Sequence, residues 1–438
     1  MIKIIKLRFT KSFQIENPEK FKLQMLHWSQ QFREVVFLDS NIAHNTNQKY
    51  KSLDCILAVE AFTSIKTDYI NAFEDLKQYQ QTTKDWLFGY LSYDLKNDIE
   101  DLTSENYDGL NFPDLYFLQP KKIFLLKNNS LEIQYLHLCD DEADADYDEI
   151  CATAVIVNQS ASKIDIQERI SNENYVDKVS KILEHIQHGD IYEANFCMEF
   201  YAKNADINSL EIFNNLNKIS SAPFSVFFKN NKQYLLSASP ERFLKKANSL
   251  LISQPIKGTA KRFTDQKQDL QSKTDLENNE KERSENIMIT DLVRNDLSKT
   301  ATKGSVYVEE LCQIYSYKQV HQMVSTIVSN VENHVAAVDI IKSMFPMGSM
   351  TGAPKVSAMQ IIENLEETKR GLYSGAVGYF TPENDFDFNV VIRSILYNEE
   401  IKYLSFSVGS AITAASIPET EYHECMLKAK AMFEVLNT

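Results

Sequence analysis

No two of the six cysteines (Cys55, Cys139, Cys151, Cys197, Cys312 and Cys425) are spaced as Cys-x-x-Cys. The chain therefore offers neither a zinc site nor a disulfide framework, and a reducing, cytoplasmic setting is the expectation. Nowhere does a run of apolar residues approach the length of about eighteen that a transmembrane helix needs. The opening MIKIIKLRFTKSF breaks its apolar positions with Lys6, Arg8 and Lys11. It lacks the unbroken apolar centre of a secretory signal and reads as a strand. Positive charge is scarce: 46 Lys and Arg stand against 61 Asp and Glu, a formal net charge of -15 with a pI near 5.1. That field repels phosphate, so nucleic acid and anionic membrane are excluded as general partners. An anionic substrate would need a local pocket lined by cations or a metal. No internal repeat is present.

What is there is ordinary globular sequence, 43% hydrophobic and 24% charged over 438 residues, enough for a large core and two or three domains by length. The sharpest change in composition is DDEADADYDE at 140–149, with seven carboxylates in ten residues, followed by the polar NQSASK at 158–163. Asp144, Asp146 and Asp148 resemble the start of a calcium loop, but Glu149 stands where its glycine belongs and Val155 where its last glutamate belongs. The run reads as a solvated connector. It divides an amino-terminal subdomain (1–150) from a catalytic region (160–438), the two folding together.

Before that boundary EVVFLDS, CILAVEAF and KKIFLLK read as strands. After it, Val176, Val179, Leu183 and Ile186 recur at helical spacing between a Ser171 cap and a Gly189 stop. PFSVFFKN, QYLLSASP, SGAVGYF, FNVVIRSILYN and KYLSFSVGSAIT are further strands.

Several features could carry chemistry. Lys257 follows the strand-like SLLIS and precedes a Gly-Thr turn; it is either a strand-end lysine reaching for water or a fixed nucleophile. Glu282 and Glu285 lie three apart on a long helix without Gly or Pro, and Glu421 and Glu424 repeat the spacing on another. Each pair is a solvated face on its own, whereas two pairs converging would suit Mg²⁺, which takes a few carboxylates and keeps waters. The Gly348–Pro354 turn precedes an amphipathic helix and offers backbone N–H groups to an anion, although it lacks the Gly-Lys-Ser/Thr ending of a P-loop. Arg393, in an apolar strand, needs an acceptor: a structural carboxylate or that of a ligand.

Taken together, GDIYEANF (189–196), SASPERF (237–243), PIKGT (255–259), SENIMITDLVRNDL (284–297), GSMTGAPK (348–355), GAVGYF (375–380) and EYHE (421–424) resemble, in order, the motifs of the chorismate-utilising enzymes. That group contains anthranilate synthase component I, aminodeoxychorismate synthase component I, isochorismate synthase and salicylate synthase. FLDSN, DCILAVEA and GYLSYDL extend the resemblance into the first part of the chain.

The resemblance implies an α/β fold of the α+β type, like anthranilate synthase component I, with two large packed antiparallel β-sheets and helices outside. It implies chorismate as substrate and Mg²⁺ as cofactor, held by Glu285 and Glu424 with Glu282 and Glu421 beside them. PIKGT is similar to the aminodeoxychorismate synthase branch, where anthranilate synthases usually carry Ala in place of Lys257. The implied activity is amino transfer to C4 of chorismate, on the route to p-aminobenzoate and folate, with Lys257 as nucleophile. Lysine attacks as the free amine, so burial and neighbouring cations, with Lys261, Arg262 and the metal as candidates, are expected to lower its pKa.

By the same resemblance Thr351 and Tyr379 line the pocket. Arg393 and the amides around Gly409, Ser410 and Ala411 hold the enolpyruvyl carboxylate, with Gly375 nearby. Leu38, Asp39 and Ser40 mark a tryptophan pocket. Three positions depart from the family pattern: Gln322 stands where a His is common, Glu193 where the amino-transferring members usually have Gln, and GSAI is less Gly-rich. No cysteine has the Gly-x-Cys-x-Gly setting of a class I glutaminase, so the expected ammonia source is a separate glutamine amidotransferase. The alternatives are anthranilate synthase component I and a regulator that binds chorismate without turnover.

Overall fold

Leu115–Lys127 is thirteen residues long and buried at eleven of them, a pattern that only the interior of a sheet accommodates. The computed structural model, which describes residues 7–41, 49–51, 53–155 and 164–437, places it at the junction of two arms of antiparallel strands. Cys55–Thr67 pairs along one edge. Ser130–Leu136 and Leu87–Leu91 share the other, at opposite ends.

The first arm runs from Cys55–Thr67 through Glu34–Asp39, Phe224–Asn230, Gln233–Ser239, Ser394–Asn398 and Tyr403–Thr413 to Glu193–Ala202. The second runs from Leu87–Leu91 through Ala376–Phe380, Phe386–Val390, Arg242–Ala247 and Leu250–Gln254 to Val320–Asn330. Val320–Asn330 also pairs with Ile256–Lys261 and Tyr307–Ser316. The two arms are the large antiparallel layers of an α+β fold, and they pack on each other: Val36, Ile56 and Phe228 of the first share a core with Leu244, Ile327 and Phe388 of the second.

A second core lies between the outer face of the first arm and the helices Pro18–Trp28, Asn172–His188, Ser209–Ser220 and Pro418–Leu436. Asn172–His188 begins where the Ser171 hydroxyl accepts the Asn174 N–H and ends at Gly189 with φ +85°, a left-handed stop that glycine takes without penalty. Because Glu34–Asp39 lies between Cys55–Thr67 and Phe224–Asn230, strands from both sides of residue 150 form one sheet. Among the described residues no helix is long and apolar enough to cross a membrane.

Two expectations are corrected. The acidic run at 140–149 is not a loose connector: Ala143–Ala152 is a helix, and Asp146 is buried, accepting from Lys122 Nζ at 2.6 Å and Tyr135 OH at 2.7 Å. Charge density alone did not reveal a lysine brought from a neighbouring strand. FNVVIRSILYN is not one strand but two, Phe386–Val390 and Ser394–Asn398, with Arg393 between them at φ +51°. The polar segment 158–163 and the first six residues lie outside the described residues.

Candidate active site

The register between Ile256–Lys261 and Val320–Asn330 shifts between Ile256 and Thr259. Lys257 and Gly258 form the bulge, with Gly258 at φ +90°, and bulges re-aim side chains. Lys257 Nζ donates to Glu193 Oε1 at 2.7 Å, the two side chains being 10% and 2% exposed. This ion pair connects the far ends of the two arms. The other oxygen of Glu193, Oε2, is buried without a hydrogen-bond partner.

Of the cations expected to lower Lys257, Arg262 is engaged elsewhere. Arg262 is taken by Asp269 at 2.8 Å and by the Tyr317 carbonyl. Burial pulls the Lys257 ammonium down, but the carboxylates of Glu193, Glu285 and Glu241 together outweigh it and leave the pKa raised.

The turn before helix Lys355–Leu365 fixes Glu193. Gly352 and Ala353 pair with Ala194 and Glu193, and the Tyr192 and Asn195 N–H groups donate to the carbonyls of Ala353 and Thr351, both at 2.7 Å. A β-carbon at Gly352 would stand 2.1 Å from the Glu193 carbonyl, so only glycine allows this approach. Thr351 is fully buried, its hydroxyl donating to the Gly348 carbonyl at 3.2 Å. From the same turn Ser349 donates to Glu241 Oε1 at 2.6 Å.

Glu241 is 5% exposed. Burial pushes its carboxyl up to about 7 against the opposing pull of Ser349, Lys257, Lys428 and Arg393. It was missed as a site residue, although SASPERF contains it; a lone acid directly after a proline, amid buried strands, was the available signal.

Glu282 and Glu285 project from helix Glu280–Ser298, begun by Asn279, whose side chain accepts the Glu282 N–H. Glu421 and Glu424 project from Pro418–Leu436. The pairs come together around Lys281, which donates to Glu421 at 3.1 Å and lies 3.8 Å from Glu285. Burial, and less so Glu282, pushes Glu285 up to about 7 while Lys257 and Lys281 oppose; burial and then Glu424 raise Glu282. Glu285 Oε1 is buried without a partner.

Among the described residues no three such side chains already form a metal cluster. The donor set nevertheless fits a hard cation: carboxylate oxygens only, one orphaned, their repulsion now relieved by a lysine. Burial would raise Glu424, but Lys428 at 2.7 Å outweighs it and lowers it. Lys428 also donates to the Gly409 carbonyl, and the Ser410 hydroxyl donates to Glu421, so GSAI is tied to the acidic helix. Ala411 lies opposite Asn195 in the same strand pair.

Arg393 is buried enough that its pKa is lowered, with Glu241 opposing. Among the described residues the charged group that acts on its guanidinium is Glu241. Gly375 spends both backbone groups on the fold, donating to Leu372 and accepting from Val391. Gln322 is buried with an unpartnered Oε1. His321 faces away from it, engaged by Ser316 at 2.8 Å and Asp269 at 3.2 Å. Tyr379 does not join Thr351: its ring lies 5.6 Å from Trp86 and 5.7 Å from Phe88, in a separate cavity lined also by Leu38, Asp39, Ser40, Arg242 and Asp387.

A family model described as chorismate binding enzyme matches residues 29–434. The chain belongs to the chorismate binding enzymes. Within the family it is similar to the aminodeoxychorismate synthase component 1 of Bacillus subtilis, 30% identical over 410 residues, covering 91% of this chain and 85% of that one. It is 32% identical to the anthranilate synthase component 1 of Saccharolobus solfataricus, covering 80% of each. With a probable chloroplastic aminodeoxychorismate synthase of Oryza sativa it shares 34% identity over 80% of its own length, spanning only 43% of that relative. Its backbone matches the crystal structure of anthranilate synthase component I from Streptococcus pneumoniae with a TM-score of 0.75, at 23% identity, covering 86% of this chain and 91% of that one.

Proposed function

We propose that this chorismate binding enzyme catalyses the aminodeoxychorismate synthase component 1 reaction, in which chorismate and ammonia give 4-amino-4-deoxychorismate and water, for p-aminobenzoate and folate synthesis. The observation that carries the reading is Lys257: a hydrogen-bonded amine, its side chain 10% exposed, surrounded by the carboxylates of Glu193, Glu285 and Glu241, the last of which also feels Arg393. The names of the Bacillus and Oryza relatives support it.

Arg393 would pair bidentately with the enolpyruvyl carboxylate. Glu285 and Glu424, with Glu282 and Glu421, would hold Mg²⁺, which when bound supplies positive charge to the ring carboxylate and so makes C2 electrophilic. Lys257 forms a bond from Nζ to C2 as the ring double bonds shift and the C4–O bond breaks. Glu241, a carboxyl titrating near neutrality, gives its proton to the departing hydroxyl, which leaves as water. Ammonia then bonds to C4, the double bonds shift back and the C2–N bond breaks, so one hard displacement becomes two easier ones. The ammonium so formed at C4 returns a proton to Glu241. Ammonia would come from a glutamine amidotransferase partner, in keeping with the "component 1" in the Bacillus relative's name.

Incubation of the purified chain with chorismate, Mg²⁺ and an ammonium salt is expected to yield a product with nitrogen at C4, identified by mass and by its need for a lyase before an aromatic amine appears. A fluorescent 2-amino product would assign the chain to the anthranilate synthases, the reading that the Saccharolobus relative favours; binding without product would make it a regulator. Arg393→Ala is expected to raise KM for chorismate about 30-fold, or ~2 kcal/mol, with kcat within about threefold, since it removes an interaction made equally in ground and transition states. An unchanged KM would remove Arg393 from the binding site.

A further inference from the structure

The amino group that must attack carbon is held in an ion pair, and among the described residues one hydrogen-bond acceptor touches it, Glu193 Oε1 at 2.7 Å. We propose that Glu193 and Lys257 act as a single proton-sharing unit, in which Glu193 takes the ammonium proton as the lysine nitrogen closes on the ring carbon. This inference rests on the amino-transfer reading above.

Three observations carry it. The pair is largely buried, with 2% of the Glu193 side chain and 10% of the Lys257 side chain exposed; there, moving one proton within the pair cancels two charges at once, which lowers its cost relative to releasing the proton to solvent. The backbone that carries the carboxylate is held, because Gly352 and Ala353 pair with Ala194 and Glu193 and the approach is so close that a β-carbon at Gly352 would stand 2.1 Å from the Glu193 backbone carbonyl. Its second oxygen is buried with no hydrogen-bond donor among the described residues. The other charged groups acting on Lys257 include Glu241, from the segment between Gln233–Ser239 and Arg242–Ala247, and Glu285, from Glu280–Ser298. Lys257 in turn acts on Glu282 and Glu424. None of these lies within ion-pair distance of Nζ; Glu193 does.

The protons balance. An N–H bond of Lys257 breaks and its electron pair forms the bond to C2, while the proton passes to Oε1. When the C2–N bond later breaks, lysine leaves as a neutral amine and recovers that proton. The reactive form, neutral amine beside neutral acid, holds as many protons as the resting ion pair. Attack therefore requires no net proton loss, and Lys257 imposes no pH limb on the rate. An amide at position 193 would remove this route, and the lysine would then have to lose its proton to solvent before reacting.

The test is kcat/KM for chorismate against pH, at saturating ammonia and Mg²⁺, in Glu193→Gln and wild type, taken as the ratio of the two so that titrations common to both cancel. The ratio is expected to rise about tenfold per pH unit between pH 6.5 and 8.5 and to approach one at higher pH. Glu193→Asp, which keeps a carboxylate, is expected to give a ratio below one that does not change with pH. A pH-independent ratio for Glu193→Gln, or activity equal to wild type at pH 7, would overturn the proposal. Misfolding is separated from it by the Glu193→Asp rescue and by chorismate binding. The product of the wild-type enzyme separates it from failure of the underlying reading: nitrogen at C2 sinks the reaction assignment, whereas nitrogen at C4 with a flat ratio sinks only the proton-sharing unit.

Discussion

Lys257→Arg is expected to lower turnover by about 10⁴-fold, equivalent to ~5.5 kcal/mol of barrier, while the enzyme melts within a few degrees of wild type. Arginine can still reach Glu193 and satisfy the buried carboxylate, but a guanidinium does not give up its proton in a protein and cannot become the attacking nitrogen. Lys257→Ala removes the nucleophile, is expected to show the same loss of rate, and has a second effect. Glu193 is then a buried carboxylate without its counter-charge, and breaking a buried pair from one side destabilises by about 3–5 kcal/mol. Comparing the two variants separates chemistry from folding: equal rates with unequal melting temperatures are expected in the presence of chorismate, Mg²⁺ and ammonium. Turnover above about a tenth of wild type in Lys257→Arg would show that ammonia attacks the ring without help from position 257, and the lysine would be no more than one side of a structural ion pair.

Much of this site was legible in the chain because its residues fall in local patterns. The acidic pairs have helical spacing, the Gly348–Pro354 turn announces itself by composition, and Lys257 follows a strand-like run. What was not legible depends on contacts between distant segments. Glu193 and Lys257 are 64 positions apart and meet only because the far ends of the two sheet arms meet; nothing local marks them as partners. Arg393 was read as part of an unbroken strand because Val390, Val391 and Ile392 continue the apolar run, whereas the backbone reverses there into a positive φ that no hydropathy pattern encodes. Tyr379 was carried over by motif, and its ring lies instead against Trp86 and Phe88 from the first part of the chain. The fold suffered less, since the strands and helices that enclose the cores are long and strongly patterned.

Glu241→Gln is expected to lower kcat by about 10²–10³-fold, the range for loss of a positioned general acid, and at the same time to make the protein more stable above neutral pH. Both effects have one cause. Burial holds the Glu241 carboxyl at about 7 against an ordinary 4.5, so between these values the folded state binds a proton that the unfolded state has released. The stability linked to this group is complete below about 4.5, is lost as pH rises to 7, and above 7 the ionised side chain costs up to about 3 kcal/mol. Glutamine keeps the shape and can still accept the Ser349 hydroxyl without carrying that charge. The variant is therefore expected to melt several degrees above wild type at pH 8 and together with it at pH 4.5.

Activity should mirror this. Wild-type kcat is expected to fall tenfold per unit of pH above about 7, as the donor loses its proton, and the variant to lack that limb. The neighbouring candidates cannot supply the limb in its place. Gln322 has no acidic proton to give, and His321 is turned toward Ser316 and Asp269. A variant that retained both the wild-type rate and the wild-type limb would move proton delivery away from Glu241; one that lost rate without gaining stability at pH 8 would show that the carboxylate is already neutralised by Lys257, Lys428 and Arg393, whose charges act on it.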